Sequence, residues 1–321
     1  MRLDQLGEWE LIDRLSAYAP PGQLADDAAI LPGAVVVNTD VLVDTVHFSD
    51  ATMSAQDLGW RAAAANLSDL AAMGCSEVIG LTVGLVAPGP TPWSWVDGVY
   101  QGLSEALNRF GGTLLGGDCS SGSQRLLAIT ALGQLGPGAI RRGDGQPGDW
   151  LVSTGPHGLS RLGLALLQGN PSAAIPEALR ERAIRAHQRP LPRLDAIPAL
   201  EASRPQGSPW RVAGTDSSDG LQRALLNLAQ ASGCGAELRR TSLPLDPEMA
   251  PLAEAEGWCL NGGEDFELVL ALEPTWAEQL CAALPGCQVI GELVEQSSPS
   301  LSWSDTGLPL EENDPGYRHF S

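Results

Sequence analysis

The most informative absence in the sequence is lysine. All 19 cationic side chains are arginines, so the chain has no lysine to form a Schiff base, to act as a catalytic base or to serve a Walker P-loop. Cations are also few, because 39 Asp and Glu residues give a net charge of −20. Nucleic acids bind surfaces that carry an excess of positive charge. We therefore expect no nucleic-acid partner.

Paired cysteine motifs and long apolar runs are missing as well. None of the six cysteines forms a Cys-x-x-Cys pair, so we expect reduced thiols and no structural zinc site. No apolar run approaches about 18 residues, and the N-terminus lacks the apolar core of a signal peptide. We expect no membrane span and a cytoplasmic protein. A Gly-x-Ser-x-Gly motif is also absent, which argues against serine-type hydrolysis.

The length and the order of patterns predict two domains of mixed α/β (α+β) class. A chain of 321 residues exceeds what a single hydrophobic core usually organises, and 43% of its residues are apolar. Strand and helix patterns alternate in the first half, including a buried strand over 34–43. A Gly/Pro-rich passage then precedes a strand at Trp150 and a helix over 159–167. We predict domains at 1–136 and 137–321.

The central segment of the first domain is an Ala- and Leu-rich helix that contains Asn66, Ser68 and Asp69. Its composition predicts burial, and no arginine occurs in the ten residues after Asp69. A buried carboxylate without a partner is costly, so Asp69 requires backbone donors or a cation from outside the helix. The alternative is that Ser68 or Asp69 caps a second short helix that ends at Gly74.

Asp69 belongs to a set of acidic residues that share one setting. Each follows an apolar strand or lies in an apolar segment, is flanked by small or polar residues and has no cation beside it in the sequence. The set is Asp26, Asp27, Asp40, Asp69, Asp118, Asp216, Asp219, Glu264 and Asp265. Any one of these residues could be a helix cap or an Asx turn. So many in one chain favour a shared site.

Carboxylates gathered in one site require a cation. A close pair repels by about 4 kcal/mol at an effective dielectric constant near 20. Oxygen ligands without His or Cys favour Mg²⁺, or Mn²⁺ as a substitute, and protein-bound Mg²⁺ commonly bridges to phosphate oxygens. Phosphoryl transfer needs mainly positioning and charge neutralisation. These residues therefore predict an ATP-using enzyme without a Walker P-loop.

Eight segments, in this order, resemble the thiamine-monophosphate kinase family, which shares a superfamily with aminoimidazole ribonucleotide synthetase and selenophosphate synthetase. They span nearly the whole chain. The segments are Asp26-Asp-Ala-Ala29, Thr39-Asp-Val-Leu-Val-Asp-Thr-Val-His-Phe48, Asn66-Leu-Ser-Asp-Leu-Ala-Ala-Met-Gly74, Gly116-Gly-Asp118, Arg141-Arg-Gly143 with Gly148-Asp-Trp150, Asp216-Ser-Ser-Asp-Gly-Leu221, Gly262-Gly-Glu-Asp-Phe-Glu-Leu268 and Gly316-Tyr-Arg-His-Phe320.

The resemblance implies direct transfer of the γ-phosphoryl group of ATP to thiamine monophosphate (TMP), which forms thiamine diphosphate without a phospho-enzyme. The implied fold is that of aminoimidazole ribonucleotide synthetase: an N-terminal sheet that forms a barrel-like homodimer interface, and a C-terminal α/β sandwich. Several Mg²⁺ ions would be held by Asp27, Thr39, Asp40, Asp69, Asp118, Asp216 and Asp219. ATP would contact Gly117, Asp118, Arg142 and Ser218, and the thiamine substrate would contact His47, Glu264 and Tyr317.

Three positions depart from the family pattern: Ala25 replaces Gly, Asn38 replaces Ser and Arg318 replaces Asp. Plain structural roles also stay open for four of the implied contacts. His47 could be a structural histidine, Arg142 a solvated linker cation, Glu264 a backbone cap and Tyr317 an anchor for the tail.

Two other functions stay open beside the kinase. One is a catalytically silent relative that binds Mg²⁺ and nucleotide, and the other is an ATP-dependent relative that acts on another acceptor. Selenophosphate synthetase is disfavoured because the first 70 residues contain no cysteine.

Overall fold

The computed structural model describes residues 8–169, 175–296 and 300–310. The first sheet has five strands in the order β1–β2–β5–β3–β4, and of its strand pairs only β3–β4 is parallel. The strands are β1 (Ala29–Leu31), β2 (Val35–Val43), β3 (Cys75–Ala87), β4 (Thr113–Ser121) and β5 (Leu126–Leu135). The strand predicted over 34–43 is thus confirmed as β2.

The α-helices in the described part of the first half are α1 (Glu8–Leu15), α2 (Ala55–Ala72) and α3 (Trp93–Phe110). Helix α2 lies against β2, β3 and β5 and packs on α3. A Cβ atom at Gly102 would lie 1.8 Å from the carbonyl oxygen of Gln56, so only glycine permits this close crossing. Helix α2 runs without a break through Asp69. The alternative of a second helix capped at Ser68 or Asp69 is therefore wrong.

The second sheet has six strands in the order β11–β8–β10–β6–β9–β7. They are β6 (Trp150–Ser153), β7 (Ala213–Asp216), β8 (Gly235–Leu238), β9 (Leu268–Leu272), β10 (Gln288–Val294) and β11 (Leu301–Trp303). The helices are α4 (Leu159–Leu167), α5 (Glu177–Gln188), α6 (Ala196–Ala202), α7 (Leu221–Ala231), α8 (Ala255–Asn261) and α9 (Pro274–Ala283).

This second sheet is covered on both faces. Leu151 and Val269 pack with residues of α7 and α8, whereas Val152 and Leu270 pack with residues of α6 and α9. Alternation along each strand therefore supplies two apolar cores, one on each side of the sheet. The mixed α/β class and the predicted C-terminal sandwich are confirmed.

The first sheet is different, because one of its faces carries exposed apolar side chains. Leu42 of β2 is buried, whereas its neighbour Val41 points to the other face and is 43% exposed. All nine residues of the edge strand β4 are exposed, including Leu114 and Leu115. Such a patch is typical of an interface.

The two domains meet along α2, and polar bonds join them near its start. The indole Nε1 of Trp60 donates to the carbonyl of Pro190 at 2.8 Å, and Arg189 binds Asp57 at 2.5 Å and Glu105 at 2.8 Å. These bonds hold the second domain against α2.

Two further expectations concern cysteines and membranes. All six cysteines lie in the described part of the chain and are free thiols, as predicted. Among the helices of the described residues, none has the length and apolar character needed to cross a membrane.

Candidate active site

A cavity of about 570 Å³ lies where α2 faces the second domain. Its lining includes an acidic group from four different elements and a second group that contains arginines and apolar side chains. The acidic group is Asp40, Asp69, Asp216 and Asp219, and the second group includes Phe48, Arg61, Arg161, Leu164, His187, Glu264 and Phe266. A volume of this size suits a small-molecule ligand.

The acidic group forms because strand and helix ends converge. Asp40 lies on the face of β2 that is turned toward α2, Asp216 ends β7, and Asp219 lies in the turn that follows. Asp27, from the loop before β1, joins them. Carboxylate oxygens of Asp27, Asp69 and Asp216 lie within 4.8 Å of one another. The structure therefore brings together five of the seven predicted metal ligands.

Two asparagines fix the carboxylate of Asp69. The amide nitrogen of Asn38 donates to Asp69 Oδ2 at 2.7 Å and to Asn66 Oδ1 at 3.2 Å. Asn66 Oδ1 also accepts the backbone N–H of Asp40 at 3.2 Å. The role of Asn38 was missed by sequence reasoning, which identified the residue only as a departure from the family pattern.

Asp27 has a cation partner from a distant part of the chain. Its Oδ1 accepts hydrogen bonds from Arg142 at 2.6 Å and from the hydroxyl of Thr215 at 2.8 Å. Arg142 is therefore not a solvated linker cation, and the fold gives Asp27 a cation partner that it lacks beside it in the sequence. Asp27 Oδ2 is buried and has no hydrogen-bond partner in the described structure.

Burial and mutual repulsion raise the pKa values of the acidic group. Burial raises the pKa of Asp27 to about 6 despite the charge of Arg142, and burial together with Asp219 raises the pKa of Asp40 to about 6. Burial, followed by the charges of Asp40, Asp216 and Asp27, raises the pKa of Asp69 well above its usual value. The charge of Arg142 therefore does not offset the burial of these carboxylates.

A divalent cation fits this donor set. The donors are carboxylate oxygens, and one of them, Asp27 Oδ2, is buried without a partner. Mg²⁺ prefers oxygen ligands of this kind. Asp27, Asp69 and Asp216 are the residues that could hold it.

Three predicted residues lie apart from this cluster within one chain. The hydroxyl of Thr39 faces away from α2 and meets that of Thr130 at 2.8 Å. Gly117 and Asp118 lie on β4. Asp118 is paired with Gly84 on β3, Gly84 with Ala128 on β5, and Ala128 with Val41 on β2, so three strand spacings separate Asp118 from Val41. Three strand spacings correspond to about 14 Å between the backbones of Asp118 and Val41.

Of the three residues predicted to contact the thiamine substrate, two line the cavity. His47 lines the cavity, and its Nδ1 accepts the N–H of Val43 at 2.9 Å. Glu264 also lines the cavity and forms an ion pair with Arg61. The neighbouring Asp265 is the helix cap, since it accepts the N–H groups of Gly158 at 2.6 Å and Ser160 at 2.9 Å. Tyr317 lies outside the described residues.

Sequence reasoning also missed the two cavity arginines, Arg61 and Arg161. The available signal for Arg61 was a single cation within the Ala-rich helix that was itself predicted to be buried. Arg161 lies at the start of α4 and carried no such signal.

Comparisons with known proteins agree with this fold. The family models described as "AIR synthase related protein, N-terminal domain" and "AIR synthase related protein, C-terminal domain" match residues 25–135 and 146–304. Thiamine-monophosphate kinases of Prochlorococcus marinus and Synechococcus elongatus are each 47% identical to the chain. Those matches cover 99% of this chain and 97% and 98% of the two relatives.

A solved structure of AaThiL complexed with AMPPCP and TMP has a TM-score of 0.85 and 27% identity, with 99% of each chain covered. Sequence and structure thus agree over almost the full length. The chain belongs to the thiamine-monophosphate kinase family, and it matches both domain models of the AIR synthase related proteins.

Proposed function

We propose that this protein transfers the γ-phosphoryl group of ATP to the phosphate of TMP and releases thiamine diphosphate and ADP, the last step in forming that cofactor. The convergence of Asp27, Asp40, Asp69, Asp216 and Asp219 at the cavity is the observation that carries the proposal. The names of the relatives support the reaction. The neighbouring structure with AMPPCP and TMP supports both substrates.

We propose that the acidic group holds several Mg²⁺ ions. When bound, these ions would neutralise the facing phosphates of ATP and TMP. Direct in-line transfer suits such a site, because two phosphates that meet there need positioning and charge neutralisation more than a protein nucleophile. The role of the protein is then to orient the two phosphates and to keep their approach in line.

Arg142 and Ser218 are the proposed ATP contacts near this cluster. Arg142 pairs with Asp27 in the structure, while the hydroxyl of Ser218 donates to Asp216 Oδ1 at 2.8 Å. If a metal ion takes over the Asp27 carboxylate, the guanidinium of Arg142 becomes available for a nucleotide phosphate. His47, Glu264 and Tyr317 are the proposed contacts of the thiamine substrate.

A homodimer accounts for the position of Asp118. The backbone of Asp118 lies about 14 Å from that of Val41 along the sheet of its own chain, too far for a metal ion shared with Asp40. A barrel-like pairing of two N-terminal sheets through their exposed faces would bring β4 of one protomer toward β2 of its partner. We propose that Gly117 and Asp118 complete the site of the other protomer, on the side where Thr39 faces.

The reaction is tested by incubating the purified protein with ATP, Mg²⁺ and TMP and following thiamine diphosphate and ADP by chromatography. Parallel reactions use free thiamine, no metal ion, Asp69→Asn and, as a matched control, the exposed Asp305→Asn. We expect the wild type to form one thiamine diphosphate for each ADP. This activity should be lost without metal ion and in Asp69→Asn, and it should be kept in Asp305→Asn. Binding of ATP without formation of thiamine diphosphate would contradict the proposal and favour another acceptor or a silent binding role.

A further inference from the structure

We propose that Arg61 is a positioning residue that holds the carboxylate of Glu264, so that this carboxylate accepts a hydrogen bond from the amino group on the aminopyrimidine ring of TMP. The inference rests on the proposed function. It adds a residue that orients the ring end of the substrate.

Arg61 is a cation buried inside an apolar helix. Its side chain is 2% exposed and is followed by the fully buried Ala62, Ala63 and Ala64. The guanidinium donates to the carbonyl of His187 at 2.6 Å and forms an ion pair with Glu264. Burying a guanidinium is costly, and an apolar side chain would fill the same space at least as stably. The charge of Arg61 therefore points to a role beyond packing.

The partner of Arg61 is held in an unusual conformation. Glu264 has a φ of 70° and Phe266 has a φ of 55°, both in the left-handed region that disfavours residues other than glycine. The N–H of Glu264 donates to the carbonyl of Ser218 at 2.7 Å, and a Cβ atom at Gly263 would lie 2.5 Å from that same oxygen. The loop is thus pressed against the turn that carries the ATP and metal residues.

The two ends of the Glu264 residue are therefore fixed by different domains. Ser218 of the second domain holds its backbone, and Arg61 of the first domain holds its carboxylate. The carboxylate is still 37% exposed at the cavity, so it remains open to a ligand.

The distance between Arg61 and Asp69 along α2 suits the length of TMP. Eight residues separate Arg61 from Asp69, which corresponds to about 12 Å along the helix axis. With the phosphate of TMP at the acidic group, the aminopyrimidine reaches toward Arg61 and Glu264. Phe48, Leu164 and Phe266 also line the cavity and provide apolar surface for the rings.

The hydrogen-bonding chemistry selects the group that Glu264 can bind. An ionised carboxylate only accepts hydrogen bonds. The amino group is the sole N–H donor among the rings of TMP. The thiazolium ring offers charge but no N–H, so the two possible contacts can be separated by changing the amino group alone.

The experiment compares TMP with 4′-deaminothiamine monophosphate, in which a hydrogen replaces the amino group so that neither ring carries an N–H. The proteins are wild type, Arg61→Met, Arg61→Lys, Glu264→Gln and Arg189→Met. Arg189 is the matched control, because it also forms ion pairs between the domains but does not line the cavity. Steady-state kinetics give kcat and KM for each acceptor and for ATP, and thermal unfolding gives stability.

We expect the wild type to prefer TMP by about tenfold or more in kcat/KM, as for loss of one hydrogen bond to a charged group. Arg61→Met should raise the KM for TMP by a similar factor and reduce the preference toward one, with the KM for ATP unchanged. Glu264→Gln should reduce the preference as well, and Arg61→Lys should restore part of it. Arg189→Met should lower stability and leave the preference intact.

The inference would be overturned if the wild type used both acceptors equally. It would also be overturned if Arg61→Met preferred TMP over the analogue as strongly as the wild type does. If Arg61→Met does not fold, Glu264→Gln and Arg61→Lys supply the same comparison, and an unchanged preference in both decides against it. A wild type that forms no thiamine diphosphate contradicts the proposed function itself.

Discussion

The hydroxyl of Ser68 donates a hydrogen bond to Oδ2 of Asp216 at 2.8 Å, across the junction between the two domains. Ser68 lies on α2 and Asp216 ends β7, 148 residues later in the chain. Because Asp69 follows Ser68 directly, this bond sets the distance between two of the acid-bearing elements. The acidic group at the cavity therefore forms only when both domains are docked.

Replacing Ser68 tests this junction. Ser68→Ala removes a donor to a buried carboxylate, and we expect the free energy of unfolding to fall by about 1–2 kcal/mol. Urea unfolding measures the change, with Ser76→Ala at an exposed position as the control. Equal stability of the two variants would show that the bond does not hold the domains.

Replacing Asp69 tests the repulsion within the acidic group. Asp69→Asn removes a charge next to Asp27, Asp40 and Asp216, so we expect the metal-free variant to be more stable than the wild type by about 1 kcal/mol or more. Added Mg²⁺ should raise the Tm of the wild type and of Asp305→Asn but not that of Asp69→Asn. An equal Mg²⁺-dependent rise in all three proteins would argue against a metal site at Asp69.

The raised pKa values predict a pH dependence with a definite sign. Asp27 and Asp40 have pKa values of about 6, above the ordinary value of 3.8, so the folded protein holds protons that the unfolded chain has released. Between these values the stability of the metal-free protein should fall as the pH rises. Mg²⁺ competes with these protons, so its stabilising effect should grow as the pH rises through about 6.

Thermal unfolding across this pH range, with and without Mg²⁺, measures both trends. The raised pKa values of Asp27 and Asp40 would not be the cause if the Tm of the metal-free wild type rose between about pH 4 and pH 6 and the Tm of Asp40→Asn rose by the same amount.

Mixing two inactive variants tests the proposed contribution of the partner subunit. If Asp118 acts in the site of the partner, heterodimers of Asp69→Asn and Asp118→Asn contain one site with both acids intact. An equal mixture, after subunit exchange, should recover about a quarter of wild-type activity, because half of the dimers are mixed and each has one good site. No recovery in mixtures shown by native mass spectrometry to contain heterodimers would place Asp118 in the site of its own chain.

Local sequence patterns predicted most of the helices and strands and singled out the acidic residues of the candidate site. The helix predicted over 159–167 is α4 with the same bounds, and the strand predicted over 34–43 differs from β2 by one residue. Such elements follow from apolar periodicity and from Gly and Pro at their ends, which are local properties. The unpaired polar residues within apolar runs likewise identified Asp40, Asp69 and Asp216.

Only the tertiary structure decided which residues meet. Arg142 reaches Asp27 across 115 positions of the chain, and Arg61 meets Glu264 from the other domain. The distance between Asp118 and Asp40 depends on strand order, which no local pattern encodes. Contacts of this kind arise when whole helices and sheets pack to bury their apolar faces, so their partners depend on the complete fold and not on neighbouring residues.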